Sequence, residues 1–541
     1  MRPAPQLELD PKPTIEASPA IVERKPEMTE CYLLGIDLGT SVAKSAIFDR
    51  NGREVAVSRR TRDIIRLHPG WSEVSMGALW EDVKETLREA AASDALKDGE
   101  IVGIGLTGIA CGSWLIDEAG NPVRNAILWN DGRAADIISE WQRSGVMDEL
   151  FRISGNIVFP GYTVAVLRWL QKNEPEALEK ARWTVFCKDW IRFCLTGEVA
   201  SEHSDVGYMP YDIRKAKYSE ELLELCGIEK HRRLFPTILK SDELAGYLLP
   251  HVAEEVGLRA GIPVVAGLAD IVSSSLGAGA FRPGQVCSIA GTSLLNNFIV
   301  AKPSFEPFGV GVQTSTVGGV WVRSLANTSG TINLEWFLDQ FCASGQETQN
   351  AVDQSIFEWA EQVAGEVPIG SRGVIYHPYL NTAGVISPFL NPAARAHFFG
   401  ISIETTRADM LRAVYEGTAL SMLDCYAHMP FEVEEWYISG GGNRSALWCQ
   451  MFADCTGQTM LVPAGEELGA RGAALLAGIA CGVYEDLEEA MKRVIRIERR
   501  HEPNPEATEK YQKLYRLYKR IYEHLMDDWW MRHRLLSNLE E

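Results

Sequence analysis

A chain of 541 residues, 46% hydrophobic and 23% charged, has ordinary globular composition and is too long for one core, so two or more domains are expected. Its formal net charge of −20 repels nucleic acid and anionic membrane, and no apolar run approaches the ~18 residues of a membrane span. Any phosphate it binds must be met locally, by backbone N–H groups or a few cations.

Residues 1–29, rich in Pro and charge and without a continuous apolar core, read as a disordered tail and not as a secretory signal. Next comes GIDLGTSVAKSAIFD, Gly35 to Asp49, in which two apolar runs flank a Gly-Thr-Ser turn and Asp37 stands just before it. REVAVSRR continues as a strand. SMGALWEDVKETLREAAAS predicts a helix capped by Ser75, with Leu79, Trp80, Val83 and Leu87 on one face. IVGIGLTG is a buried-type strand whose Gly103, Gly105 and Gly108 satisfy G-x-G-x-x-G. A dinucleotide site needs a helix straight after those glycines, and the sequel from Ile109 to Asp117 reads as another strand, so the Rossmann reading is set aside. No Walker P-loop is present either. From about Asp131 to Glu255 helical patterns dominate, read as an insertion on the first domain.

GIPVVAGLADIVSSSLGAGAF gives a strand, a turn and a helix opening at Asp270. CSIAGTSLLNNFIV, Cys287 to Val300, then repeats the opening hairpin, with Ile289 where Asp37 stood. The helix RADMLRAVYEGTALSMLDCYAHM and the strand VEEWYIS follow, and a GGGNR turn leads into the helix SALWCQMFADCTG. A Gly/Ala-rich helix begins near Glu467 and Gly469, and the last helix carries a Tyr and Leu stripe suited to core packing. Each half opens with the same hairpin, which predicts two related α/β domains facing a cleft, at 30–268 and 269–500, with a C-terminal helix at 501–541. Eleven scattered cysteines without a C-x-x-C pair fit neither a zinc site nor a disulfide framework, and point to small packing residues in a reducing cytoplasm.

Either Gly-Thr-Ser hairpin alone is most simply a plain turn, since Gly and Ser suit turns. As a pair, two tips bearing N–H and O–H donors would grip a polyphosphate from both sides. Mg²⁺ on such a phosphate takes water and one or two carboxylates, so one acid at Asp37 suffices and a second would repel the phosphates. Lys44 lies one strand further on and would neutralise phosphate charge.

These residues resemble the FGGY family of carbohydrate kinases, within the actin/Hsp70/hexokinase superfamily of paired actin-like (ribonuclease H-like) domains. GIDLGTSVAKSAIFD and SIAGTSLL look like the family's two phosphate hairpins, and AHFFGISIETTRADMLRAVYE, Ala396 to Glu416, matches its C-terminal signature. The N-terminal signature is matched by GYTVAVLRWLQKN, except that Val166 stands where a Lys is expected. The resemblance implies ATP and Mg²⁺ as cofactors, with Asp37 helping to hold the metal. It implies Gly39, Thr40, Ser41 and Lys44 around the first phosphate loop, Gly291 and Thr292 around the second, and Gly440, Gly441, Gly442 and Ser445 bordering the adenosine. Asp270, in GLAD, matches the catalytic aspartate; its chemistry fits, since a base at a helix start is kept ionised by the helix dipole, while a plain helix cap is the simpler structural role. Asp131 and Arg133 match a xylulokinase-like motif, although an Asp-x-Arg loop is otherwise a surface ion pair.

Ala110, Cys111, Asp131, Asp270 and Ile271 are thereby expected on the sugar side. Where xylulokinases read Gln-Met-His-Gly and glycerol kinases carry Gln-Arg-Glu, this chain has Ile109-Ala110-Cys111-Gly112. The expected acceptor is a pentulose of xylulose type, with erythritol or another small polyol second, and a homodimer is the expected assembly. A non-kinase ATPase of the same superfamily would share the hairpins but lack the C-terminal signature.

Overall fold

The computed structural model describes residues 30–96, 99–342 and 355–540; the expectation for residues 1–29 lies outside them. The first hairpin forms from β1 (Glu30–Leu38) and β2 (Val42–Asp49), followed by β3 (Glu54–Thr61) and helix α1 (Met76–Ala91). Ser75 caps α1 by accepting from the Ala78 N–H at 3.3 Å, and Leu79, Trp80, Val83 and Leu87 are all buried. β4 (Gly99–Gly108) pairs parallel with β1, and the sheet is completed by β5 (Leu244–Tyr247), β6 (Pro263–Val265) and β7 (Leu268–Ala269). Its order is β5-β6-β4-β1-β2-β3, with β7 also on β4.

The second sheet repeats this plan. β8 (Gln285–Ala290) and β9 (Leu294–Val300) form the second hairpin, joined by β10 (Val312–Ser315), β11 (Trp321–Asn327), β12 (Glu435–Ser439), β13 (Met460–Pro463) and β14 (Ile497–His501). The order is β10-β11-β9-β8-β12-β13-β14. In both sheets an antiparallel hairpin pairs in parallel through its first strand with a later strand, β1 with β4 and β8 with β12. Both end in an antiparallel edge, β5 on β6 and β14 on β13. The two hairpins differ at their tips. Leu38 faces Ala43 across four turn residues, whereas Ala290 faces Leu294 across three.

Helices of the insertion, among them Thr163–Asn173 and Cys187–Thr196, bury Leu167, Leu170, Trp190 and Ile191 in the same core as the first sheet. A second core lies under the other sheet and takes in Tyr511, Tyr515, Tyr518 and Tyr522 of the C-terminal helix Pro505–Glu540, so the aromatic stripe is packing, as its spacing predicts. A third apolar cluster lies between the lobes. It joins Leu33 and Phe48 of the first sheet to Cys287 and Tyr437 of the second through α2 (Asp270–Ala278) and α3 (Leu468–Ala480).

These two helices pack backbone to backbone. A Cβ added at Gly472 of α3 would lie 2.0 Å from the Ser273 carbonyl oxygen of α2, and one at Gly277 would lie 1.9 Å from that of Leu468. α3 meets β4 in the same way, since a Cβ at Gly105 would fall 1.9 Å from the Ala473 carbonyl oxygen and one at Gly103 2.8 Å from Cys481 Sγ. Those two glycines of the G-x-G-x-x-G run therefore serve helix packing. All eleven cysteines are free, and no described helix is long and apolar enough to cross a membrane.

Candidate active site

A cavity of about 250 Å³ opens between the lobes. Thr40, Ala110, Cys111, Asp270 and Ile271 line it from among the residues singled out in the sequence, the last two directly following β7 of the first sheet although the sequence places the start of the second domain at 269. The second lobe contributes Ser293 from its Gly-Thr-Ser tip and strand residues such as Leu295 and Val312. One residue of each tip, Thr40 and Ser293, thus reaches a single space, with Asp270 in its wall.

Asp270 occupies the first position of α2, after Ala269, and its Oδ1 accepts from the Ile271 N–H at 2.8 Å. It is a helix-start residue but not the cap. Burial pushes its carboxyl up to about 7, the charge of Asp37 adds to the rise, and the N–H groups of Ile271 and of Asp270 itself oppose it. Asp37, at the end of β1, is raised to about 6, again chiefly by burial, with Lys44 opposing and Glu467 reinforcing. Asp270 therefore lies within range of the Asp37 charge.

Among the described residues no hydrogen-bond donor reaches the Asp37 carboxylate. A Cβ on Gly469, at the start of α3, would sit 2.6 Å from its Oδ2, so only glycine leaves the carboxylate clear. A half-buried acid with free oxygens and a raised pKa fits a hard cation held through one carboxylate and water. No cluster of three or more acidic, His or Cys residues suited to a metal occurs among the described residues, so this acid would share the ion with the phosphates it neutralises.

The tips are braced from beneath. Gly39 N–H bonds the Val42 carbonyl at 2.9 Å, and Arg62 holds the Ser41 and Gly39 carbonyls at 2.8 and 3.2 Å. In the second tip Gly330 and Thr331 N–H groups bond the Thr292 and Gly291 carbonyls, each at 2.7 Å. The triple-glycine turn lies against this tip: a Cβ on Gly440, whose φ is +82°, would lie 2.7 Å from the Ala290 carbonyl oxygen, and one on Gly442 would lie 2.9 Å from Ala290 Cβ. Gly441 between them faces open space, with nothing within 4 Å. Ser445 is a helix cap, accepting from the Trp448 N–H at 3.1 Å.

Two sequence-chosen residues are engaged elsewhere. Asp131 does not line the cavity. Its oxygens accept from Arg133 Nε at 2.8 Å, from the Ser72 N–H at 2.6 Å and from the Arg133 N–H at 2.9 Å, and Arg133 also reaches Glu73 at 2.7 Å. The pair is buried and not the surface bridge that such a loop suggests, with the guanidinium 4.0 Å from the Trp71 ring. Lys44 Nζ lies 2.8 Å from Glu467 Oε2 across the lobes, and Glu467 also holds Arg59 at 2.8 Å. The lysine is neutralised by protein in this conformation.

Sequence reasoning missed Trp129, Ile157, Phe159 and Tyr208 in the cavity wall. It also missed a buried charge cluster beneath it. Lys188 Nζ contacts Asp189 at 2.9 Å, Glu202 at 3.3 Å and Asp205 at 2.5 Å, all fully buried. Ser204 Oγ donates to Glu202 and accepts from the Ala269 N–H at 2.7 Å, tying the cluster to the residue before Asp270. The legible signal was Lys188, Asp189 and Arg192 set among apolar residues of one helix, because a charge there must find a partner.

Two family models match, described as the N-terminal domain of the FGGY family of carbohydrate kinases over residues 32–277 and its C-terminal domain over residues 286–481. The chain is 30% identical over 499 residues to the L-xylulose/3-keto-L-gulonate kinase of Escherichia coli, covering 91% of this chain and 96% of that one. It is 30% identical over 509 residues to the xylulose kinase of Bacillus subtilis, covering 92% and 97%. Among solved structures, the xylulose kinase of Rhodospirillum rubrum superposes with a TM-score of 0.82 at 26% identity, over 92% of this chain and 99% of that one.

Proposed function

The chain belongs to the FGGY family of carbohydrate kinases, and from that premise we propose that it phosphorylates a hydroxyl of a pentulose of xylulose type, with Asp270 as the base. Asp270 takes the proton of the acceptor hydroxyl, whose oxygen bonds to the terminal phosphorus of ATP as ADP leaves. A base whose pKa sits near 7 is ionised at working pH yet basic enough to accept that proton. Mg²⁺, where bound, neutralises phosphate charge. Gly39 and Gly291 close the two turns with their own N–H groups and leave the backbone donors of Thr40 and Thr292 to position the phosphates, Asp37 would hold the metal, and Gly440 to Gly442 with Ser445 border the adenosine.

The observation that carries this reading is the placement of Asp270 in the wall of a cavity that also receives Thr40 and Ser293, one from each tip. Among the described residues no Lys, Arg or His lines that cavity, which disfavours sugar acids, and a small polyol such as erythritol is the second candidate acceptor. The test is a coupled ADP-release screen over ketopentoses, tetritols, glycerol and aldonates. Release above the sugar-free rate is expected with a ketopentose. Steady hydrolysis indifferent to every acceptor would instead mark an ATPase and end the proposal.

A further inference from the structure

We infer that the acceptor is partly deoxygenated: a ketose or polyol of about five carbons carrying a methyl group where the common sugar carries a hydroxyl or hydroxymethyl. This rests on the kinase reading above and narrows it to one chemical class.

The cavity has a polar corner and a long apolar wall. The corner is Asp270, within whose charge range lie Tyr208 and Cys111. The wall is Ile157, Phe159, Leu295, Val312, Ala326 and Ile386. Among the described residues no Asn, Gln, His, Lys or Arg lines the space, and Asp270 is the one carboxylate there. These are the side chains that a site uses to hold several sugar hydroxyls at once.

The backbone of the strand wall does not make up the difference. Leu295 faces Ala326 and Val312 faces Ser324 in antiparallel ladders, so that the main chain of this wall is committed to its neighbours. The Gly311 carbonyl already accepts from the Ile157 N–H at 3.1 Å, and Thr40 Oγ1 from the Trp129 indole at 3.0 Å. What remains for the acceptor is Asp270, the Tyr208 hydroxyl, the Thr40 hydroxyl proton, the main chain of Ala110 and Cys111, and three serines, of which Ser324 and Ser387 are almost wholly buried. A fully hydroxylated pentulose would press at least one hydroxyl against Ile157, Phe159 or Ile386. A buried hydroxyl without a partner costs on the order of 10- to 100-fold in affinity, whereas a methyl there is favourable.

Cys111 sharpens the point. It occupies the place where the related xylulokinase motif has His, and its φ of +71° is one that few non-glycine residues adopt. Burial raises the thiol well above its ordinary range, so it meets the ligand as a neutral, weakly polar surface.

The test compares kcat/KM for matched pairs with the full-length protein and saturating Mg²⁺–ATP: D- and L-xylulose against their 1-deoxy forms, and erythritol against its 1-deoxy form, butane-1,2,3-triol. At least one deoxy or methyl member should exceed its hydroxylated partner by about tenfold or more. Equal or better turnover of the hydroxylated member in every pair overturns the inference and leaves the kinase reading standing. Sugar-independent ADP release with all six would take both down. Ala326→Ser, which sets a hydroxyl in the apolar wall, should lower the methyl preference about fivefold with the KM for ATP unmoved. An unchanged ratio would remove this wall as its cause.

Discussion

Asp37 and Asp270 are two half-buried carboxylates whose pKa values are raised chiefly by burial, that of Asp270 also by the charge of Asp37, and one substitution separates the proposed catalytic role of Asp270 from its energetic one. With folded values of about 6 and about 7, the folded chain keeps protons that the unfolded chain has released from about pH 4 upward. Stability therefore falls as pH rises through that window, and the contribution of these two acids is fully present only below it. Asp270→Asn removes one of the charges. In metal-free, nucleotide-free buffer at pH 8 it should melt higher than the wild type, by on the order of 1 kcal/mol once solvent screening is allowed for, and the gap should close near pH 4. The same variant should lose about 10²- to 10⁴-fold in acceptor-dependent kcat, and wild-type kcat/KM should fall below pH ~7 as the base protonates. A variant that is both active and less stable at pH 8 would contradict the assignment on both counts. The sequence made these two acids legible because each sits beside a turn motif that needs it. Asp131 carried a motif too, but Ser72, which donates to it, and Glu73, which shares its Arg133, come from a segment whose approach no local pattern announces.

At the level of elements, α2 and α3 decide how the lobes meet. α2 starts with the proposed base and α3 starts beside Asp37, so their crossing sets the distance between the two acids. That crossing is built on Gly472 and Gly277, where carbonyls of the partner helix take the place of a side chain. Gly472→Ala should force the helices apart, costing about 1–3 kcal/mol, and should lower kcat more than it raises either KM, because the base moves with α2. Gly441→Ala makes the useful comparison, since its Cβ would meet nothing within 4 Å. It should melt with the wild type and weaken ATP binding alone. Thermal midpoints and steady-state kinetics of both variants decide the matter: a Gly472→Ala protein as stable and active as the wild type would show the contact to be dispensable. The same packing shows why G-x-G-x-x-G could be rejected as a dinucleotide loop from sequence but not explained. Its partner helix lies hundreds of residues downstream, and glycine on a strand records only that something approaches, not what.

Across the whole molecule, two sheets of matching strand order share one layer of helices and leave the acceptor cavity between them. The repeat was legible because both hairpins kept the Gly-Thr-Ser turn. The cavity wall was not, because its residues come singly from loops and strand faces dispersed over both halves. A cavity divided between lobes must change when they move, and closure would keep water from the phosphoryl group. Trp129 reports on this directly. The residue is 42% exposed in the cavity wall while its indole N–H bonds Thr40 on the first tip at 3.0 Å. Acceptor together with ADP should bury that ring, shifting its emission to shorter wavelength and reducing the radius of gyration in solution scattering, while either ligand alone should do less. Trp129→Phe should abolish the spectral shift and keep the scattering change, which separates a local stacking contact from lobe closure. If both ligands together leave the scattering of the wild type unchanged, the lobes are a fixed frame, and exclusion of water must come from the acceptor filling the cavity.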